Sequence, residues 1–357
     1  MPAGLPPVPD RKRLIAEARD ANRQRGDNRK GGTMTGQTTE KWEAQDNEKV
    51  IPHLWSIVLA GGEGTRLAPM IREWLGEDRP KQYCTFTGTR SMLQHTVDRA
   101  DRLAAPPQRV TVVGGRQEGS ARSQLDGRGG SIVVQPVNRD TAPGVFLPLT
   151  YVRAADPQAT VVIYPSDHFV YPEEGLTDAV RHAVHAVELL EDRVILLGIR
   201  PDSVDLEYGY MQLDRYVGGY GAHSLWHVGR FAEKPERHLA KTLMESQVLW
   251  NTMIIVAKVG TLWKLGTKVL PTMMRLFETL LPAVGSPSEL RVLRGIYDTM
   301  PVRNFSMDFL EHVPHKVSAL DVNDVLWSDW GRPKRIAQSL HKIGKAPAFP
   351  MELVGVA

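Results

Sequence analysis

From Ile51 onward, short β-branched apolar runs alternate with stretches of helical periodicity. Leu54–Ala60 reads as a buried strand that runs directly into a glycine-rich turn, and Arg109–Val113, Ile132–Gln135, Thr160–Tyr164 and Val194–Gly198 are further runs of strand length. Between them, Ser91–Leu103 opens on a serine suited to cap a helix. Leu176–Leu190 sets Leu176, Val180, Ala183, Val184, Val187 and Leu190 on one helical stripe. Strands at Tyr208–Leu213, Leu225–Ala232 and Thr252–Val256 follow, with a helix from Glu236 to about Gln247. Residues 260–300 read mainly as helix, and a last strand is expected at Lys316–Leu320. This alternation predicts an α/β fold with a mixed, mostly parallel central sheet flanked by helices.

The first 50 residues follow no such pattern. They open on Pro2, Pro6, Pro7 and Pro9, then place eight basic and four acidic side chains between residues 10 and 30. Too few apolar residues are present to bury, so a disordered polar arm over 1–50 is the expectation. The apolar face of a short helix around Arg13–Arg25 would be thin. The alternative for the arm is a basic segment for an anionic partner. One folded unit over 51–345 should follow, then a tail over 346–357.

Whole-chain composition removes several classes. Lys+Arg number 44 against 41 Asp+Glu, a net +3 over 357 residues, which argues against a nucleic-acid binder. Hydrophobic residues make up 42%, too many for wholesale disorder. No apolar run approaches the roughly 18–20 residues of a membrane helix, nor does an apolar stretch follow Arg11-Lys12-Arg13 as in a signal peptide. The single cysteine, Cys84, excludes an intrachain disulfide and fits a reducing compartment, so cytoplasmic location is expected. No repeat is visible.

Candidate chemistry begins at Leu59-Ala60-Gly61-Gly62-Glu63-Gly64-Thr65-Arg66-Leu67-Ala68-Pro69. Glycines after a buried strand allow close backbone approach and aim N–H groups at phosphates. No Lys-Ser/Thr pair follows, so this is not a P-loop. Leu67 stands where the dinucleotide fingerprint needs its third glycine. Arg66, two residues past the last glycine, is a fixed cation able to grip phosphate oxygens bidentately.

This turn, followed by Arg79-Pro80-Lys81-Gln82-Tyr83, resembles the sugar-1-phosphate nucleotidyltransferases, and most of all the mannose-1-phosphate guanylyltransferase branch with its Pro-Lys-Gln-Phe/Tyr element. Asn138-Arg139-Asp140-Thr141-Ala142-Pro143, Pro165-Ser166-Asp167-His168, Glu207-Tyr208-Gly209-Tyr210, Phe231-Ala232-Glu233-Lys234-Pro235, Trp250-Asn251 and Trp327-Ser328-Asp329 continue the likeness in order, over about residues 54–332. The resemblance implies a Rossmann-like nucleotidyltransferase fold in one catalytic unit. It implies attack by a sugar 1-phosphate on the α-phosphorus of a nucleoside triphosphate, GTP and mannose 1-phosphate in the nearest branch. Thymidylyl or uridylyl transfer and a non-catalytic homologue are the alternatives. No isomerase or β-helix domain is expected after residue 330.

Site residues are implied the same way. Arg66 and Lys81 would hold the triphosphate, and Lys234 the sugar phosphate. Ala60, Gly61, Gly62, Gly64, Thr65, Gln135, Asn138, Thr141 and Ala142 would surround the nucleotide. Glu207, Tyr208, Gly209, Glu233 and Asn251 would meet the sugar, and Asp167 and Asp329 would hold Mg²⁺. Residue chemistry agrees, because anionic phosphates need neutralising and hard carboxylates suit Mg²⁺. Asn138–Pro143 also reads as a helix entry capped by Asp140 or Thr141. Expected partners are the two substrates, with neither nucleic acid nor membrane, and a homodimer is the assembly to test.

Departures stand beside these likenesses. Thr252-Met253 replaces the family's Ser-Gly after Trp-Asn, which would narrow the approach to the sugar. Glu311-His312 replaces the usual Met-Glu-Lys, leaving Asp308 as a helix-entry residue. Of eleven histidines, His182/His185 on a helix and His223/His227 near a strand form local pairs without a third ligand at metal-binding spacing, and His182 and His185 read as polar-face residues.

Overall fold

Nine strands form one sheet in the computed structural model, which describes residues 51–355. The arm of residues 1–50, with the helix weighed at Arg13–Arg25, lies outside the described residues. The sheet strands are β1 (Leu54–Leu59), β2 (Arg109–Gly114), β3 (Ser131–Gln135), β4 (Thr160–Pro165), β6 (Val194–Ile199), β7 (Gly209–Tyr220), β8 (His223–Glu233), β9 (Val248–Lys258) and β10 (Val317–Asp321); β5 (Phe169–Tyr171) and β11 (Leu326–Ser328) pair separately. The order is β3-β2-β1-β4-β9-β6-β10-β8-β7, with β7 also pairing β9. β1–β4, β6, β7 and β10 run one way and only β8 and β9 run against them. The sheet is therefore mixed and mostly parallel.

Helices cover both faces. They are α1 (Ala68–Leu75), α2 (Met92–Asp101), α3 (Glu118–Gln124), α4 (Thr141–Ala155), α5 (Glu173–Leu189), α6 (Arg237–Met244), α7 (Val259–Val269), α8 (Pro271–Leu280), α9 (Glu289–Asp298), α10 (Phe305–Asp308) and α11 (Pro333–Lys342). Ser91 caps α2 in a reciprocal box with Gln94. One core joins α4 and α7–α9 to the sheet, and a second joins α2 and α5 to its opposite face. The stretch read as mainly helical over 260–300 is three helices broken at Leu270 and around residues 281–288.

Residues 346–355, read from the sequence as a tail, lie against a third cluster. Phe349 and Leu353 are buried there with Leu67, Met70, Phe86 and Trp330. β5 and β11 escape periodicity because three residues are too few to show an alternation. They matter all the same, since β4 leads into β5 through Asp167 and Asp329 directly follows β11.

Candidate active site

The glycine turn leaves β1 at its carboxyl end, where open α/β sheets place ligands. Gly64 sits at φ 62, and a Cβ there would lie 3.0 Å from the Lys81 backbone nitrogen. The turn is braced from behind. Gln82 Nε2 donates to the carbonyls of Ala60 at 3.0 Å and Gly62 at 2.7 Å, and the Tyr83 hydroxyl donates to Ala60 at 3.0 Å. Sequence reasoning assigned Gln82 and Tyr83 no role, because their partners lie about 20 residues upstream. Thr65 and Arg66 continue the turn outward and are exposed.

Past the turn, cations and carboxylates interlock. Lys81 is only 3% exposed, with Nζ 3.0 Å from Asp167 Oδ2 and donating to the Asp329 carbonyl. Arg66 donates to Asp329 Oδ2 at 2.9 Å and approaches Glu207 at 3.2 Å. Asp329 Oδ1 accepts from the Tyr208 hydroxyl at 3.0 Å, the Gly331 N–H at 3.0 Å and Arg335 at 2.7 Å. Arg335 also pairs with Asp205 and Glu207 and lies over the Tyr208 ring. No family motif in the sequence marked Arg335; it becomes visible only where α11 packs beside β11.

Burial, the largest single influence, would push the Asp167 and Asp329 carboxyls up, but it is outweighed by the combined pull of Lys81 and His168 at Asp167 and of Lys81, Arg335, His168 and Arg66 at Asp329. Both are held below the usual carboxylate range. Glu207 is lowered likewise, against burial, by Arg332, Arg335 and Arg66.

On the far side of the glycine turn, Leu59, Gly61, Gly62, Val112, Gln135, Asn138, Asp140, Thr141, Gly144 and Val302 line a cavity of about 440 Å³. Gln135 is buried, its Nε2 donating to the Tyr297 hydroxyl at 3.2 Å, and a Cβ on Gly61 would lie 3.3 Å from its Oε1. Asp140 caps α4 at φ 68. The Thr141 hydroxyl accepts from Phe305 N–H at 2.8 Å, and the Ala142 N–H donates to Arg303 at 2.9 Å. Thr141 and Ala142 are thus tied to the 303–305 loop, with Ala142 fully buried and away from the cavity lining.

The residues matched to sugar contacts share another wall. Lys234, at φ 45, donates its N–H to the Tyr208 carbonyl at 3.1 Å, and its Nζ lies 2.9 Å from Glu233 Oε1. A Cβ on Gly209 would fall 2.6 Å from Glu233 Oε2 and 3.4 Å from Asn251 Cβ, so only glycine lets these side chains close in. Asn251 is buried, its Oδ1 taken by the Met253 N–H at 3.0 Å and its Nδ2 without a partner among the described residues. Met253 stands at φ 56, so the backbone keeps the left-handed conformation that glycine adopts freely, although the residue is methionine. Glu311, one of the departures, accepts from the Glu233 N–H at 2.7 Å.

An open α/β sheet with these features at the carboxyl ends of its strands has the Rossmann-like architecture of nucleotidyltransferases. The chain belongs to the Nucleotidyl transferase family, which matches residues 55–345. It is 26% identical over 284 residues to mannose-1-phosphate guanylyltransferase RfbM of Salmonella typhimurium, covering 77% of this chain and 56% of that one. It is 32% identical over 200 residues to the xanthan biosynthesis protein XanB of Xanthomonas campestris, covering 55% and 40%. The matched region therefore spans 56% of the length of the first of these relatives and 40% of the second. A crystal structure of a Thermus thermophilus protein described as a mannose-1-phosphate geranyltransferase superposes with a TM-score of 0.68 at 27% identity, over 80% of this chain and 79% of that one. Among the described residues, no helix is long and apolar enough to cross a membrane.

Proposed function

We propose that this chain transfers a nucleotidyl group, GMP from GTP, to a hexose 1-phosphate, mannose 1-phosphate, giving a nucleoside diphosphate sugar and pyrophosphate. The observation that carries this reading is the meeting of Arg66, Lys81, Asp167 and Asp329 beside the braced glycine turn. A sugar-phosphate oxygen attacks the α-phosphorus; the bond to the β-phosphate oxygen breaks, and pyrophosphate leaves with that electron pair. The nucleophile is already an anion, so the residues must neutralise charge and fix geometry.

Arg66 and Lys81 would hold the triphosphate and take up charge on pyrophosphate as it leaves. For Arg66 this means exchanging Asp329 and Glu207 for phosphate oxygens. Lys234 would hold the sugar phosphate. Gln135 and Asn138, with Gly61, Gly62 and Thr141, would enclose the base, while Ala60, Gly64 and Thr65 shape the turn; Ala142 would act only through the entry to α4. Glu207, Tyr208, Gly209, Glu233 and Asn251 would form the sugar side, where the unpaired Asn251 Nδ2 awaits a hydroxyl acceptor. Two adjoining aspartates are hard oxygen donors of the kind Mg²⁺ takes, and Asp167 and Asp329 would hold it. When bound, the ion would neutralise charge on phosphate oxygens.

Met253, where the resembled motif places glycine, favours a second reading with another sugar or nucleotide. Pyrophosphate release over a grid of nucleoside triphosphates and sugar 1-phosphates tests both. GTP with mannose 1-phosphate is expected to turn over fastest; no turnover with any pair would remove the enzymatic reading and leave a nucleotide-sugar binder. Nucleoside triphosphate use and the lone cysteine support a cytoplasmic location. Homodimer formation is to be read by light scattering.

A further inference from the structure

Away from the cleft, two histidines distant in sequence meet across two elements. His182 lies on α5 one turn after Asp178, so both occupy one face of that helix. His223 opens β8, immediately after the β7–β8 turn, and is 5% exposed. Asp178 Oδ2 is 3.4 Å from His182 Nδ1 and 3.9 Å from His223 Nε2, and one ligand atom from each residue lies within 4.8 Å of the others. The two imidazole rings stand edge to face with centroids 5.7 Å apart.

We infer that Asp178, His182 and His223 form a binding site for a divalent transition cation of the Zn²⁺ class, which would pin α5 to the β7–β8 turn.

Three features carry this assignment. Two neutral imidazoles and one carboxylate are the donor set that suits Zn²⁺ rather than the all-oxygen preference of Mg²⁺. The turn is built to admit the ring: Gly221 stands at φ 61, and a Cβ there would fall 2.6 Å from His182 Cε1 and Nε2. His223 is buried, its Nδ1 has no hydrogen-bond partner among the described residues, and its Nε2 faces Asp178. Tetrahedral coordination with bonds near 2.0–2.1 Å requires ligand atoms about 3.4 Å apart. Asp178, 49% exposed and otherwise met at Oδ1 by Arg181 at 3.6 Å, already meets that spacing to His182 and can close its 3.9 Å separation from His223 by rotating. His182 Nδ1 donates to the Asp178 carbonyl at 3.0 Å, so an ion taking that nitrogen would require the tautomer that carries the proton on Nε2. Water would complete the shell on the open side.

The test uses the untagged full chain, stripped of metal by chelator and dialysis, titrated with Zn²⁺ against a chromophoric competitor and followed by thermal unfolding. Wild type is expected to bind one Zn²⁺ at this site that raises Tm, and Mg²⁺ at equal concentration does not displace it. His182→Gln and Asp178→Asn, both at partly exposed positions and checked for folding by circular dichroism, should each weaken Zn²⁺ by at least tenfold and abolish the rise. Asp167→Asn should keep both, which separates this site from the cleft carboxylates. Equal Zn²⁺ affinity in wild type and His182→Gln, or loss of the ion in Asp167→Asn, overturns the assignment.

Discussion

Lys81 Nζ lies 3.0 Å from the Asp167 carboxylate while donating to the backbone carbonyl of Asp329, so one buried ammonium joins the chain after β4 to the chain after β11. Its partners in the folded chain are the two residues assigned to the metal. Lys81→Met is expected to lower kcat/KM by ~10²–10³-fold, the scale of losing one preorganised charge-stabilising donor, with the fold retained. Steady-state pyrophosphate release and circular dichroism measure both; activity within a fewfold of wild type would take Lys81 out of the phosphate site.

The carboxylates around this ammonium set an acid limit on stability. Asp167, Asp329 and Glu207 are all held below their ordinary values. Their ion pairs therefore contribute fully above the unfolded carboxylate range, about pH 4, and that contribution is lost as pH falls through the lowered values. Urea midpoints followed by tryptophan fluorescence should stay nearly level from neutral pH to about pH 5 and drop below about pH 4. Asp329→Asn should have a lower midpoint at pH 7 and a shallower acid decline; an unchanged slope would count against the pairing.

Tyr297 orients Gln135. With Nε2 held at 3.2 Å by the phenol oxygen, the amide presents Oε1 toward Gly61 and the cavity, an acceptor facing whatever donor edge the base offers. Tyr297→Phe frees the amide to rotate. The KM for the preferred nucleoside triphosphate is expected to rise ~5–10-fold, the scale of one hydrogen bond, with kcat little changed and discrimination among nucleotides reduced. Unaltered KM values across GTP, UTP and dTTP would exclude this orienting role.

Met253 holds a left-handed φ of 56 beside Asn251 and accepts a long contact from Ser306 Oγ at 3.5 Å. Met253→Gly relieves the backbone strain, on the order of 1 kcal/mol, and removes a side chain, two residues on from Asn251, that packs against Ser306. A broader range of accepted sugar 1-phosphates is expected, with nucleotide KM unchanged. A sugar profile identical to wild type would show that the methionine does not shape the sugar side.

The sequence by itself determined the α/β layering, nearly every sheet strand, the cap at Ser91 and the motif series that includes the glycine turn and Arg66. These are local: a strand, a turn or a short motif declares itself within a few consecutive residues. Only the tertiary structure decided that Asp329, 248 residues from Lys81, would lie against its ammonium, that Arg335 would join it, and that Gln82 and Tyr83 would brace Ala60 and Gly62. The histidines give the sharpest contrast. Neighbours in sequence paired His182 with His185 and His223 with His227, and neither pair found a third ligand. Folding pairs His182 with His223 through Asp178, because a helix face and a hairpin end converge only once the sheet between them has formed. Periodicity reports which face of an element is buried, whereas ligand sets and charge networks depend on which buried faces meet.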